Sequence, residues 1–249
     1  MITWSPENEV NNETVGIHSW TKSEIVAYRV KEMHRAANAV NNALPDIERA
    51  ADIITNKIQN GRGRVITVGA GGSGVIAMAV MRELPQNHRE IDPHKFLYQI
   101  AGGTRIFDLW GCEELEDSAE EGERDMDALD LSASDSVICV SATGRTVYTC
   151  ASARAAKKKG AYTIGLICQA GSRLAEEVDL PVLIDTGPEM FFGATCEKAA
   201  TAQKGALTAI MDAVVIGLGI TDDNVCRARE VHQKARLRRE FLERGRYSK

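Results

Sequence analysis

Residues 136–150 read SVICVSATGRTVYTC, an apolar run that passes through a small, hydroxyl-rich turn into a helical pattern. A run with no polar alternation suits a strand buried on both faces, as in a parallel sheet covered by helices. A chain that only needed to turn could have used Asn-Gly or Pro-Asp. The segment from Ser141 to Thr146 instead supplies hydroxyls at Ser141, Thr143 and Thr146, a glycine at Gly144 and a guanidinium at Arg145, beside a helix N-terminus. Backbone N–H groups at such an end have no partner within the helix and attract anions.

Working outward, the same strand-then-helix unit recurs. Strands are expected at 64–69, 95–102, 136–141, 162–168 and 180–185, with helices around 73–83, 113–128, 145–159 and 195–219. This alternation predicts an α/β fold, a doubly wound five-stranded parallel sheet in three αβα layers. Upstream, Thr21 and Glu24 have the spacing of a capping box, and the apolar residues from Ile25 to Ala43 recur at helical spacing. Pro45 opens a second helix that Gly61 stops. The chain therefore divides into an extended N-terminal arm (1–20), N-terminal helices (21–62), the sheet domain (63–220) and a basic C-terminal helix (221–249).

The 249 residues carry a net charge of −5, which argues against a general polyanion binder, and 5% aromatics, too few for base-stacking platforms. The charge run KARLRREFLERGR interleaves Glu240 and Glu243, and reads as a solvated helix or a contact with an acidic cluster of a partner subunit. No nucleic acid and no membrane partner is expected, because no apolar run approaches the roughly 18 residues of a span. The polar, acidic start MITWSPENEV is unlike a signal peptide, so a cytoplasmic setting is the default. The six cysteines form no C-x-x-C pair and the five histidines no ligand spacing, so neither metal nor cofactor is expected.

A second glycine turn, GAGGSG over 69–74, is a literal G-x-G-x-x-G after a strand. A dinucleotide site would need an acid ending the next strand to hold the ribose. That strand, KFLYQIAGG, offers Gln99 and then glycines. The better reading joins both turns: Ser73, Ser141, Thr143 and Thr146, with the N–H groups of Gly72, Gly74 and Gly144, converge on one phosphate. The plainer alternative is a pair of tight turns with Ser and Thr as caps. Arg145 either neutralises the phosphate or faces solvent and supports its turn.

These paired turns resemble the SIS (sugar isomerase) phosphosugar-binding domain. The run GPEMFFGATCEKAATAQKGAL (187–207) is similar to the signature of the N-acetylmuramic acid 6-phosphate etherases, G-P-E-hydrophobic-x-G-S-T-R-L-K-x-G-T-A-Q-K. IAGG (100–103), LEDS (115–118), TGRTVY (143–148) and MRELP (81–85) agree in order and spacing. The resemblance covers about residues 14 to 219 and implies an SIS-type sheet, a phosphosugar substrate and homodimers. It departs at Gly72 and Val75, where the family has Thr and Arg, and at Cys196 and Glu197, where it has Arg and Leu. The family's C-terminal helical domain is expected to be absent.

The resemblance further implies a carbon–oxygen lyase that removes a lactyl ether by elimination and hydration, with Glu83 as acid and Glu116 as base. From the residues alone, Glu83 is equally a helix-end surface carboxylate, and Glu116 one of an acidic face with Glu113, Glu114 and Asp117. Lys198 and Lys204 lie six apart in one helix, so one reaches substrate while the other pairs with acid. Glu189 binds a sugar hydroxyl or caps the following helix. The alternative functions on this scaffold are an aldose–ketose phosphosugar isomerase and a non-catalytic phosphosugar sensor.

Overall fold

The computed structural model describes residues 9–107, 113–221 and 233–243. Five parallel strands, β1 (Val65–Gly69), β2 (Phe96–Ile100), β3 (Ser136–Ser141), β4 (Tyr162–Ile167) and β5 (Leu180–Leu183), stand in the order β2-β1-β3-β4-β5. Every residue of β1 and β3 is buried, as continuous apolar runs in the middle of a covered sheet require. The edge strand β5 alternates instead, and its Pro181, which has no N–H to donate, sits where only β4 pairs with it.

The helices are α1 (Lys22–Asn42), α2 (Leu44–Gln59), α3 (Gly71–Asn87), α4 (Glu113–Glu116), α5 (Ala119–Asp127), α6 (Val147–Lys158), α7 (Arg173–Glu177), α8 (Lys198–Gly217) and α9 (Gln233–Glu243). One apolar cluster joins α1, α2, α3 and α8 to one face of the sheet through Ile47, Ile54, Met81, Leu207 and Ile210. The other joins α5, α6 and α7 to the opposite face through Met126, Tyr148 and Leu174. Each such aliphatic side chain removed from water contributes about 1.5–3 kcal/mol, which fixes the three-layer αβα arrangement.

The five expected strands and the capping box hold. Thr21 accepts from the Glu24 N–H while Glu24 accepts from the Thr21 N–H at 2.7 Å. Three local differences have clear causes. The helix expected over 113–128 breaks at Asp117, because the Ser118 hydroxyl accepts from the Glu121 N–H at 3.2 Å and starts α5 afresh. The short α7 had no periodic signal. Residues 1–8 of the expected extended arm lie outside the described residues, and over 9–20 the arm makes 3₁₀ turns at Asn12–Thr14 and Ile17–Ser19 instead. It is also tied down, with Asn11 Nδ2 donating to the Glu189 carbonyl and the Thr14 hydroxyl to the Met190 carbonyl. Of the expected C-terminal helix, Gln233–Glu243 is helical, while 222–232 and 244–249 lie outside the described residues.

Candidate phosphosugar site

Strand order decides where the two glycine turns meet. β1 and β3 are direct neighbours, with Gly69 opposite Val140. The helices that follow leave toward opposite faces, α3 into one apolar cluster and α6 into the other. Such a reversal opens a crevice at the carboxyl ends of the two strands. Residues 70–74 and 141–146 flank that crevice.

The helix N-caps there are Ala70 for α3 and Thr146 for α6, and neither side chain makes a capping hydrogen bond among the described residues. The cap side chains thus leave the first-turn N–H groups to other acceptors. In the second turn, Gly144 takes a φ of 63°, the Ser141 hydroxyl accepts from its N–H at 3.0 Å, and Thr146 Oγ1 lies 3.1 Å from Ser141 Oγ. Thr143 Oγ1 accepts from the Arg145 N–H at 3.2 Å.

In the first turn, Gly71 has a φ of 50°, and a Cβ there would collide with the Glu116 carboxylate. Glu116, from the end of α4, is therefore seated against the start of α3. A Cβ on Gly72 would stand 3.0 Å from Cys196 Sγ. The two departures from the family pattern at 72 and 196 thus face each other. Cys196 is half-buried, and burial pushes its thiol up, with the neighbouring Ser73 hydroxyl opposing. Ser73 donates to Gln203 Oε1 at 3.1 Å and lies 3.7 Å from Cys196 Sγ.

Arg145 does not face open solvent. Its Nη2 donates to Gln169 at 2.6 Å and to Glu9 of the arm at 3.2 Å, and burial lowers its pKa against the pull of Glu9. Glu9, Thr143, Gln169, Thr186 and Thr195 line a small solvent-open cleft beside the crevice.

The remaining expected residues fall in two other places. Glu189 accepts from the N–H groups of Glu197, Lys198 and Ala199 at 3.0, 2.8 and 2.9 Å, so its carboxylate caps α8. Lys198 is buried, with Nζ 2.8 Å from Glu32 of α1 and 2.8 Å from the Pro188 carbonyl. Glu83 lies twelve residues along α3 from Gly71, a rise of about 18 Å. Its side chain is 60% exposed and pairs with Lys204 at 3.6 Å. One subunit therefore gathers Gly72, Ser73, Gly74, Glu116 and the 141–146 turn, and places Glu83 with Lys204 elsewhere.

Gln203, Cys196, Glu9 and Gln169 were not singled out from the sequence as site residues. Gln203 lies inside the TAQK run and Cys196 among the departures from the pattern, which were the signals available for them. Among the described residues no group of three or more His, Cys, Asp or Glu is placed to hold a metal ion, and no helix is long and apolar enough to cross a membrane.

The profile of the glucokinase regulatory protein N-terminal SIS domain matches residues 46–157, and that of the SIS domain matches 115–216. The chain is 37% identical over 215 residues to the N-acetylmuramic acid 6-phosphate etherase of Bacillus subtilis (strain 168), covering 86% of this chain and 70% of that one. It is 34% identical over 211 residues to the etherase of Deinococcus radiodurans, covering 85% and 68%. Among solved structures, a phosphoheptose isomerase from Francisella tularensis superposes with a TM-score of 0.58 at 19% identity, covering 79% of this chain and 97% of that one. The C-terminal domain of a glucosamine-fructose-6-phosphate aminotransferase from the same organism gives 0.52 at 18%, covering 90% and 55%. At these identities the structures speak for the fold.

Proposed function

Since the chain belongs to the N-acetylmuramic acid 6-phosphate etherase family, we propose that it is a carbon–oxygen lyase that removes the lactyl ether from a sugar 6-phosphate. The observation that carries this reading is the Glu116 carboxylate seated against Gly71 at the start of α3, beside a turn lined by Ser141, Thr143 and Thr146. The first-turn N–H groups of α3 and α6, with these hydroxyls, hold the phosphate dianion. Glu116 takes the proton from the carbon next to the open-chain aldehyde. The bond from the neighbouring carbon to the ether oxygen breaks, a second carboxyl protonates that oxygen, and lactate leaves. Water adds to the double bond and restores a hydroxyl.

Glu83 supplies the second carboxyl in this reading. At about 18 Å along α3 from Gly71 it cannot serve its own crevice. It acts from a partner subunit of a homodimer, as an exposed helix-end carboxylate beside Lys204 is free to do. An apolar stripe on α1, with Val26, Val30 and Met33 exposed one helical turn apart, supports pairing of two copies. A cytoplasmic setting follows from the same reading of the substrate.

The separation of Glu83 from Glu116 favours one alternative. A single base beside the phosphate suffices for aldose–ketose isomerisation, which releases no lactate. Incubating purified protein with N-acetylmuramic acid 6-phosphate and measuring D-lactate decides between them. Lactate from the wild type and none from Glu116→Gln supports the lyase. A ketose phosphate formed from an aldose phosphate, without lactate, would replace it by the isomerase.

A further inference from the structure

Gln203 of α8 is fully buried, and its amide stands over the crevice side of α3. Its Oε1 accepts from the Ser73 hydroxyl at 3.1 Å and lies 3.9 Å from the Cys196 thiol. Its Nε2 is buried with no partner among the described residues. An amide with its oxygen shared and its NH₂ orphaned is the costlier of its two settings, because a buried donor without an acceptor forfeits its full desolvation.

The arrangement also suits an anion badly. Ser73 spends its only hydrogen on Gln203 and presents lone pairs to the crevice. Turning the amide by half a rotation about its last side-chain bond, which has two similar settings, exchanges the orphaned donor for an acceptor and frees the Ser73 hydrogen. Nε2 then donates to Ser73 Oγ, and the Ser73 hydrogen is released toward the phosphate. An amide oxygen takes the unpartnered place in exchange, so the turn leaves one buried atom unpaired before and after.

We propose that Gln203 is a positioning residue that sets the direction of the Ser73 hydroxyl, and that a phosphosugar binds to the amide-turned arrangement. The inference rests on the phosphosugar reading of the crevice. It assigns Gln203 no contact with substrate. Its effect passes through Ser73, and this gives it a signature that a packing role lacks.

The test is a double-mutant cycle read by calorimetric binding of N-acetylglucosamine 6-phosphate. Gln203→Met keeps length and removes both polar atoms, and it is expected to weaken binding about tenfold, the weight of one hydrogen bond to a charged group. In a Ser73→Ala background the same change is expected to alter binding less than about twofold. Gln203→Glu, which as a carboxylate can only accept, is expected to weaken binding at least as much as Met. It serves as the second arm if the Met variant does not fold. Equal losses in both backgrounds, or no loss in the first, would overturn the role of Gln203 while leaving the phosphosugar reading intact. A wild-type protein that binds no sugar phosphate would overturn both.

Discussion

Three of the helices that follow strands, α3, α6 and α8, have N-termini treated in two ways. The start of α8 receives three hydrogen bonds from Glu189, a carboxylate supplied by the chain eight to ten residues earlier. Beneath it, Lys198 and Glu32 form a buried pair that pins α8 to α1. Among the described residues the N-caps of α3 and α6, Ala70 and Thr146, make no side-chain capping hydrogen bond, and both starts are lined by glycines and hydroxyls, with the Glu116 carboxylate against the start of α3. Every helix start favours negative charge. Where a carboxylate of the chain accepts from the first-turn N–H groups, as Glu189 does at α8, the end is a structural joint. Where the cap residues leave those groups beside hydroxyls, as at α3 and α6, the end is suited to an anion from outside. Glu189 and Lys198, which the sequence pattern places in the same signature as Gln203, belong to the first kind.

The largest effect tests the second kind. Glu116→Gln and Glu83→Gln are each expected to lower lactate release by about 10²–10⁴-fold, the range of general acid–base catalysis, while binding of the sugar phosphate changes little. If the two carboxylates come from different subunits, mixing the two inactive variants restores about a quarter of wild-type activity, because half the random dimers hold one intact site of two. No recovery on mixing, with both variants folded and able to exchange subunits, would return Glu83 to a surface role. Next in size is the joint itself. Glu189→Ala leaves three N–H groups at the start of α8 without their acceptor and is expected to cost about 3 kcal/mol of unfolding free energy in urea titration. Full stability with lost binding would invert the comparison and make Glu189 a ligand contact.

The sheet was readable because its central strands are unbroken apolar runs, and the order of units then dictates a parallel sheet. The crevice was readable because both glycine turns follow strands, which puts them at the same edge. Side-chain relations between distant segments were not. Nothing in the local spacing says that Lys198 meets Glu32, 166 positions away, or that Cys196 packs on Gly72. Glu189 was open to two readings because a carboxylate shortly before a helix is both a good cap and a good sugar ligand. The remoteness of Glu83 from Gly71 follows from helix rise alone and was within reach of the sequence.

A smaller effect separates ligand binding from folding. Ser73→Ala or Thr146→Ala removes one hydroxyl from the crevice and is expected to weaken phosphosugar binding by about tenfold. For Thr146→Ala the melting temperature should shift by no more than about 2 °C, because its hydroxyl makes no capping hydrogen bond. Ser73→Ala also takes the hydroxyl donor from the buried Gln203 Oε1 and should lower it by about 2–4 °C. A large fall in melting temperature with binding intact would mean that α3 and α6 are joints like α8.

The smallest effect reports on charge in the crevice. Burial pushes the Cys196 thiol above its ordinary value, so it is expected to alkylate more slowly than a free thiol at about pH 7.5. A phosphate dianion bound beside Ser73, whose Oγ lies 3.7 Å from Cys196 Sγ, is expected to disfavour the thiolate further. Mass mapping of the Cys196 peptide after iodoacetamide treatment should therefore show labelling slowed about threefold or more by N-acetylglucosamine 6-phosphate, a shift of about half a pKa unit. Raising the pH should recover the rate, since the thiolate is restored while the bound sugar stays in place. Protection that no pH relieves would point to simple blocking. Absence of any protection would mean that the anion lies away from α3, with the α6 turn holding it alone.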